Sequence, residues 1–269
     1  DTSAASPPST PRQIERGADL ARAGNCMACH SVPGAEPWSG GRGIDTPFGT
    51  VYAGNLTPDP ETGLGRWNAA EFWRALHHGR SRDGRLLTPA FPYTSFTRVT
   101  REDSDALFAY LRSLPAVRAP ARPHELRFPY DTQLALAAWR ALYFRPGTWT
   151  PDPGRDAEWN RGAYLVRGLG HCAACHAPRN RFGAPIDADA LTGARIEALG
   201  WYAPSLHDPR GGGIAEWPLA DAVQWLRSGY SERAQASGPM VEVIQGSTQH
   251  LSTEDLRAIA TYLRALPGT

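Results

Sequence analysis

Cys26-Met27-Ala28-Cys29-His30 and Cys172-Ala173-Ala174-Cys175-His176 hold all four cysteines of this 269-residue chain, and both read C-x-x-C-H. Two thiols at that spacing can add to the two vinyl groups of a haem. The histidine that follows stands where it can ligate the iron. Other uses of paired cysteines fit less well. The pairs lie too far apart for a zinc ribbon, and no βαβ pattern surrounds them as it would a thioredoxin-like redox pair. A disulfide within each pair gives no reason for the adjacent histidine, one of only eight in the chain. The sequence therefore predicts two covalently bound haem c groups, attached at Cys26, Cys29, Cys172 and Cys175, with His30 and His176 as proximal ligands.

The sequence around each motif also repeats. Arg16-Gly17-Ala18-Asp19-Leu20 returns as Arg161-Gly162-Ala163-Tyr164-Leu165, and Tyr52-Ala53 with Leu56 as Tyr202-Ala203 with Leu206. Trp67 returns as Trp217, and Gly79-Arg80-Ser81 as Gly229-Tyr230-Ser231. The copies close on Tyr110-Leu111-Arg112-Ser113-Leu114-Pro115 and Tyr262-Leu263-Arg264-Ala265-Leu266-Pro267.

Helical periodicity marks 12–25, with Ile14, Leu20 and Ala21 on one face, then 68–78 and 104–114, the last stopped by Pro115. Residues 252–266 repeat that closing helix behind Ser252 as N-cap. A helix before each C-x-x-C-H and another at the end of each copy is the haem-wrapping pattern of a cytochrome c. No convincing hairpin or strand alternation is present. The predicted fold is all-α, two tandem cytochrome c-like domains at 12–115 and 157–269. A flexible tail, 1–11, precedes them, and a Pro-rich linker, 116–156, joins them. Within the linker, 133–144 reads as an apolar helix with Leu134, Leu136, Trp139, Leu142, Tyr143 and Phe144. It suits either a strap across the two domains or a docking face for a membrane or partner protein.

Composition narrows the function. A formal net charge of +1 gives no global positive field for nucleic acid. No run of about 18 apolar residues is present to span a membrane. All 28 basic residues are Arg, which excludes a lysine Schiff base or a P-loop lysine. Haem attachment of this kind takes place outside the cytoplasm, and the chain starts at Asp1 with no Met and no leader. It reads as a periplasmic chain whose export signal has been removed.

The sixth iron ligand differs between the copies. Of two methionines, Met27 sits inside the first motif, which leaves Met240, in Gly238-Pro239-Met240-Val241, 64 residues after His176. It is the predicted distal ligand of the second haem. In the first copy Thr88-Pro89-Ala90-Phe91-Pro92-Tyr93 stands at the matching distance but carries Phe91 instead. That haem has another ligand, with His78, His124 and Tyr93 as candidates, or an open position. His171, His207 and His250 are read as structural.

Residues 161–166 with Gly168-Leu169-Gly170-His171-Cys172-Ala173-Ala174-Cys175-His176-Ala177-Pro178-Arg179-Asn180 resemble the cytochrome c subunit of membrane-associated alcohol and aldehyde dehydrogenases. Asp83-Gly84-Arg85 through Tyr93 is similar to the distal loop of that family's first haem domain. Family members of the dehydrogenase type carry three haem domains, usually with Met where Phe91 stands. The resemblance implies passage of electrons from a periplasmic dehydrogenase to a respiratory acceptor, for which an oxidase or a small cytochrome or copper protein is expected; the apolar helix at 133–144 is what would allow a peripheral membrane association. Electrons would enter at the N-terminal haem and leave from the His/Met haem, because a thioether raises the potential. The competing readings are a peroxidase-like dihaem enzyme acting at an open first haem, and a gas-binding sensor or carrier.

Overall fold

The computed structural model describes residues 9–208 and 213–266. They divide into two compact units, 9–21 with 26–148, and 22–25 with 149–266.

In the first unit α1 (Pro11–Ala23) begins on a proline, whose missing N–H is harmless in a first turn. Asn25, left-handed at φ 47°, turns the chain into α2 (Cys26–His30). β1 (Gly43–Thr46) and β2 (Gly49–Tyr52) pair antiparallel, with Ile44 opposite Val51. α3 (Ala69–His78) opens on a capping box between Asn68 and Glu71 and stops at Gly79 in the left-handed conformation. α4 (Tyr93–Phe96) and α5 (Arg101–Ser113) follow. β3 (Glu125–Leu126) pairs with β2, and α6 (Gln133–Tyr143) starts behind Thr132 as N-cap. Leu20, Phe72, Leu76, Leu107, Phe108 and Leu111 are buried, with the Phe72 and Phe108 rings 5.2 Å apart.

α1 crosses α5 at Gly17, where a Cβ would stand 2.0 Å from the Ala106 carbonyl oxygen. Only a residue without a side chain permits that approach. Beside the crossing, Arg16 Nε donates to the buried Asp103 carboxylate at 2.7 Å.

The second unit repeats both devices. It contains α7 (Ala157–Arg167), α8 (Ala173–His176), β4 (Ala194–Ile196), β5 (Trp201–Ala203), α9 (Leu219–Ser228), α10 (Pro239–Gly246) and α11 (Thr253–Arg264). α7 meets α11 at Gly162, where a Cβ would lie 1.9 Å from the Ala258 carbonyl oxygen. Arg161 donates to both oxygens of Asp255, at 2.7 and 2.8 Å. Leu165, Val166, Leu226, Leu256, Ile259 and Tyr262 share its core.

Four expectations need correction. Helices are the main regular structure, but the chain is not all-α. β1–β2–β3 and the β4–β5 hairpin are strands of two to four residues, too short for a readable alternation. The β1–β2 turn is Pro47-Phe48, without an Asn-Gly or Asp-Gly signal.

Of the predicted linker, 116–156, residues 116–148 belong to the first unit and 149–156 to the second. Asn55 Nδ2 donates to the Val117 carbonyl (2.7 Å) and Val117 N to Thr57 Oγ1 (3.1 Å). Gln133 exchanges two hydrogen bonds with the Leu86 main chain. Gly147 N donates to Thr97 Oγ1. The prolines hold this segment extended, so its main-chain groups stay available to side chains along the unit. The apolar helix is there, but one face is buried at Leu136 while Leu134 and Leu142 are exposed.

At the termini, Pro11 begins α1 rather than ending a tail, and residues 1–8 lie outside those described. α5 starts at Arg101 rather than Ser104, because Thr100 is the side-chain cap, accepting from Asp103 N.

Candidate functional site

Each C-x-x-C-H forms a short helix entered through a left-handed residue, Asn25 (φ 47°) before Cys26 and His171 (φ 37°) before Cys172. Asn and His are among the side chains that tolerate this conformation best. The His171 ring bonds the Gly170 carbonyl, which supports its structural reading. None of the four cysteines is joined in a disulfide. Burial, then the neighbouring cysteine of the pair, pushes the Cys26 and Cys172 thiols up to about 12.

The two proximal candidates are held alike. His30 Nδ1 donates to the Gly54 carbonyl at 2.7 Å, and His176 Nδ1 to the Pro204 carbonyl at 2.7 Å. A proton fixed on Nδ1 leaves the lone pair on Nε2, the atom that ligates iron. Burial lowers both imidazole pKa values, with the carbonyls opposing it, so the neutral, ligating form is favoured. The loop after each motif is also tied back. Gly40 N donates to the His30 carbonyl (2.9 Å) and Gly193 N to the His176 carbonyl (2.8 Å). Arg42 caps the Ala28 carbonyl and Arg179 the Ala174 carbonyl.

Two thiols one helical turn apart, with an adjacent imidazole whose Nε2 is released, fit a covalently attached haem in each unit. Among the described residues no group of three or more His, Cys, Asp or Glu is placed to hold a bare metal ion.

Met240 lies at the second residue of α10, behind Pro239 and Gly238. Gly238 has φ 54° and ψ −140°, and the face of the Trp201 indole covers it. His207 is buried, and among the described residues neither of its ring nitrogens has a hydrogen-bond partner.

The three candidates for the first haem are placed differently. His124 is exposed on the strand side, where Tyr52 N donates to its Nδ1 at 3.2 Å. That bond puts the remaining proton on Nε2 and leaves no lone pair for iron. Tyr93 is fully buried against Gly79 and edge-on to Phe144 (4.9 Å), with the Arg140 guanidinium 5.1 Å above its ring. Burial raises its pKa and Arg140 opposes the rise. His78 is half-buried at the end of α3, edge-on to His77 at 4.6 Å. Its pKa is lowered by burial, then by Arg140 and Arg80. Among the described residues its ring makes no hydrogen bond, so of the two histidines it alone keeps its nitrogens uncommitted. Phe91 packs edge-on against Phe96 at 5.4 Å.

Sequence reasoning missed the Gly54 and Pro204 carbonyls, Trp201 and Arg140. The first two had a signal, since each follows the repeated Tyr-Ala pair at 52–53 and 202–203.

Residues 14–115 match the family described as Cytochrome c. The chain is 47% identical over 257 residues to a nicotinate dehydrogenase subunit of Pseudomonas putida, covering 95% of this chain and 21% of that one. It is 40% identical over 261 residues to the cytochrome c subunit of the quinone alcohol dehydrogenase of Gluconacetobacter polyoxogenes, covering 94% and 56%. It is 35% identical over 262 residues to a diheme cytochrome c-type protein of Cereibacter sphaeroides, covering 95% and 86%. The chain thus spans about a fifth of the first relative and just over half of the second.

Proposed function

Because the chain belongs to the cytochrome c family, with a dihaem c-type relative matched over most of both lengths, we propose that it is a periplasmic dihaem electron carrier serving a dehydrogenase. Haem held here supplies a one-electron Fe(III)/Fe(II) couple. Cys26 with Cys29, and Cys172 with Cys175, hold the two groups by thioether bonds. His30 and His176 present Nε2 to iron, oriented through Nδ1 by Gly54 and Pro204. Met240 would supply a thioether ligand to the second group, and such a ligand would set that site at the higher potential. Electrons then enter at the first unit and leave from the second.

The matched 2.7 Å bonds from His30 and His176 carry the reading, because they prepare the same ligand atom in both units. A dehydrogenase as donor is supported by the relatives, whose names are those of nicotinate, alcohol, gluconate and fructose dehydrogenase subunits. The acceptor on this reading is a respiratory oxidase or a small cytochrome or copper protein. The test is to digest the haem-loaded protein and weigh both C-x-x-C-H peptides, then titrate its potential. Haem on both peptides and two steps, the higher at the second unit, are expected. A first haem more oxidising than the second overturns the direction of flow.

Phe91 in the place of Met240 favours one further reading, a dihaem enzyme acting at an open first site. A high-spin signal with hydrogen-peroxide turnover supports it, and two low-spin haems remove it.

A further inference from the structure

We infer that Trp201 is a positioning residue for Met240, its indole bracing the Gly238-Pro239 turn that presents the thioether. The inference rests on the reading of Met240 as the second iron's distal ligand. Three indole atoms, Cδ2, Cε2 and Cε3, would each lie 2.8 Å from a Cβ at Gly238. The flat face of the ring therefore lies directly on the glycine Cα. At φ 54° and ψ −140° this glycine adopts a backbone closed to L side chains. Pro239 then fixes φ at the first residue of α10, and Met240 comes next. The course of the chain into Met240 is set by a glycine turn, a proline and an aromatic lid.

The strand that supplies the lid also leads into the residue that holds the His176 imidazole. β5 ends at Ala203, and the next residue, Pro204, accepts from His176 Nδ1. Four consecutive residues thus fix the imidazole and brace the methionine turn. Trp201 remains 45% exposed, so it is not a core-filling residue, and its packed face is the one on Gly238. In the first copy the position matching Trp201 is Val51 and that matching Met240 is Phe91. Brace and sulfur are absent there together.

A braced sulfur resists displacement. The test uses the full-length, haem-loaded protein with Trp201→Ala, Trp201→Phe and Met240→Ala. The readouts are the weak red charge-transfer band of an iron–thioether bond, the two midpoint potentials, and the imidazole concentration that displaces the sulfur. Trp201→Ala should weaken the band and lower the second midpoint part of the way that Met240→Ala does, leaving the first midpoint in place. Imidazole should compete at about tenfold lower concentration, equivalent to roughly 1.4 kcal/mol. Trp201→Phe, which keeps a flat face, should restore most of each. Should Trp201→Ala not accumulate, Trp201→Leu is read in the same way. An unchanged band, midpoint and imidazole affinity in the Trp201 variants, with the band lost in Met240→Ala, overturns the positioning role. A band that survives Met240→Ala overturns the ligand assignment itself.

Discussion

The Cα of Gly162 lies so near the carbonyl oxygen of Ala258 that an added methyl would meet it at 1.9 Å. Gly17 stands in the same relation to Ala106, at 2.0 Å. The atom in the way is main chain of the partner helix, which cannot swing aside as a long side chain can. In an open helix interior Gly→Ala gains about 1 kcal/mol, but overpacking against a rigid neighbour costs about 1–3 kcal/mol or more. Gly17→Ala and Gly162→Ala should therefore each lower the unfolding temperature of their own unit. Gly147→Ala, with nothing within 4 Å, should stay within about 0.5 kcal/mol of the parent. Thermal unfolding followed by circular dichroism makes the comparison, and equal melting of all three variants refutes the tight crossing.

The α7–α11 pair should also respond to acid. Glu158 in the first turn of α7 accepts from Thr261 Oγ1 at 2.5 Å and Arg257 Nε at 3.0 Å. The Thr261 hydroxyl, then Arg257, holds its pKa below the ordinary value, against a smaller rise from burial. A carboxylate depressed on folding adds stability above its unfolded pKa of about 4.3. That contribution is lost as pH falls through the folded value. Glu158→Gln should lower stability near neutrality, where the parent's contribution is complete, and flatten the acid limb below about 4.3, where the two proteins converge. A limb of unchanged steepness tells against the assignment.

Met240→Ala should lower the midpoint of the second haem and leave the first nearly where it was, since removing a thioether removes its preference for Fe(II). Potentiometric titration with the two haems resolved by their spectra reads both values. Equal movement of both midpoints contradicts the placement of Met240 in one unit's distal position.

α6 should tolerate change on one face and not on the other. Leu136 is 8% exposed, whereas Leu134 is 80% exposed. Leu136→Ala should cost about 2–4 kcal/mol in local stability, the range for a buried leucine. Leu134→Ser and Leu142→Ser should stay within about 0.5 kcal/mol. Hydrogen exchange across 133–143 distinguishes the two faces, and comparable losses at Leu134 and Leu136 run against this arrangement.

What can be read from the sequence is local. The two C-x-x-C-H motifs and the Ser252 start depend on neighbours within a turn or two, and the cap at 252 is where the pattern puts it, whereas Asn68 caps the helix predicted to begin on it. The hairpin at 43–52 escapes that reading because its turn, Pro47-Phe48, is closed by the Thr46 side chain bonding Gly49 O and Phe48 N. Threonine carries no strong turn signature. Residues 116–148 read as a tether because their anchors, Asn55, Thr57, Leu86 and Thr97, lie dozens of positions upstream. His124 is a fair ligand candidate on composition alone. Its engagement with Tyr52 N is a tertiary event.

Both proximal imidazoles lean on a peptide oxygen rather than on a carboxylate or a hydroxyl. Every amino acid carries that oxygen, so drift at these positions cannot delete the acceptor. Glycine occupies the first and proline the second, and the bond length is the same. An acidic partner would make each ring more basic and pull its iron toward the oxidised form. A neutral peptide adds no such charge, which leaves the choice of sixth ligand free to separate the two redox levels.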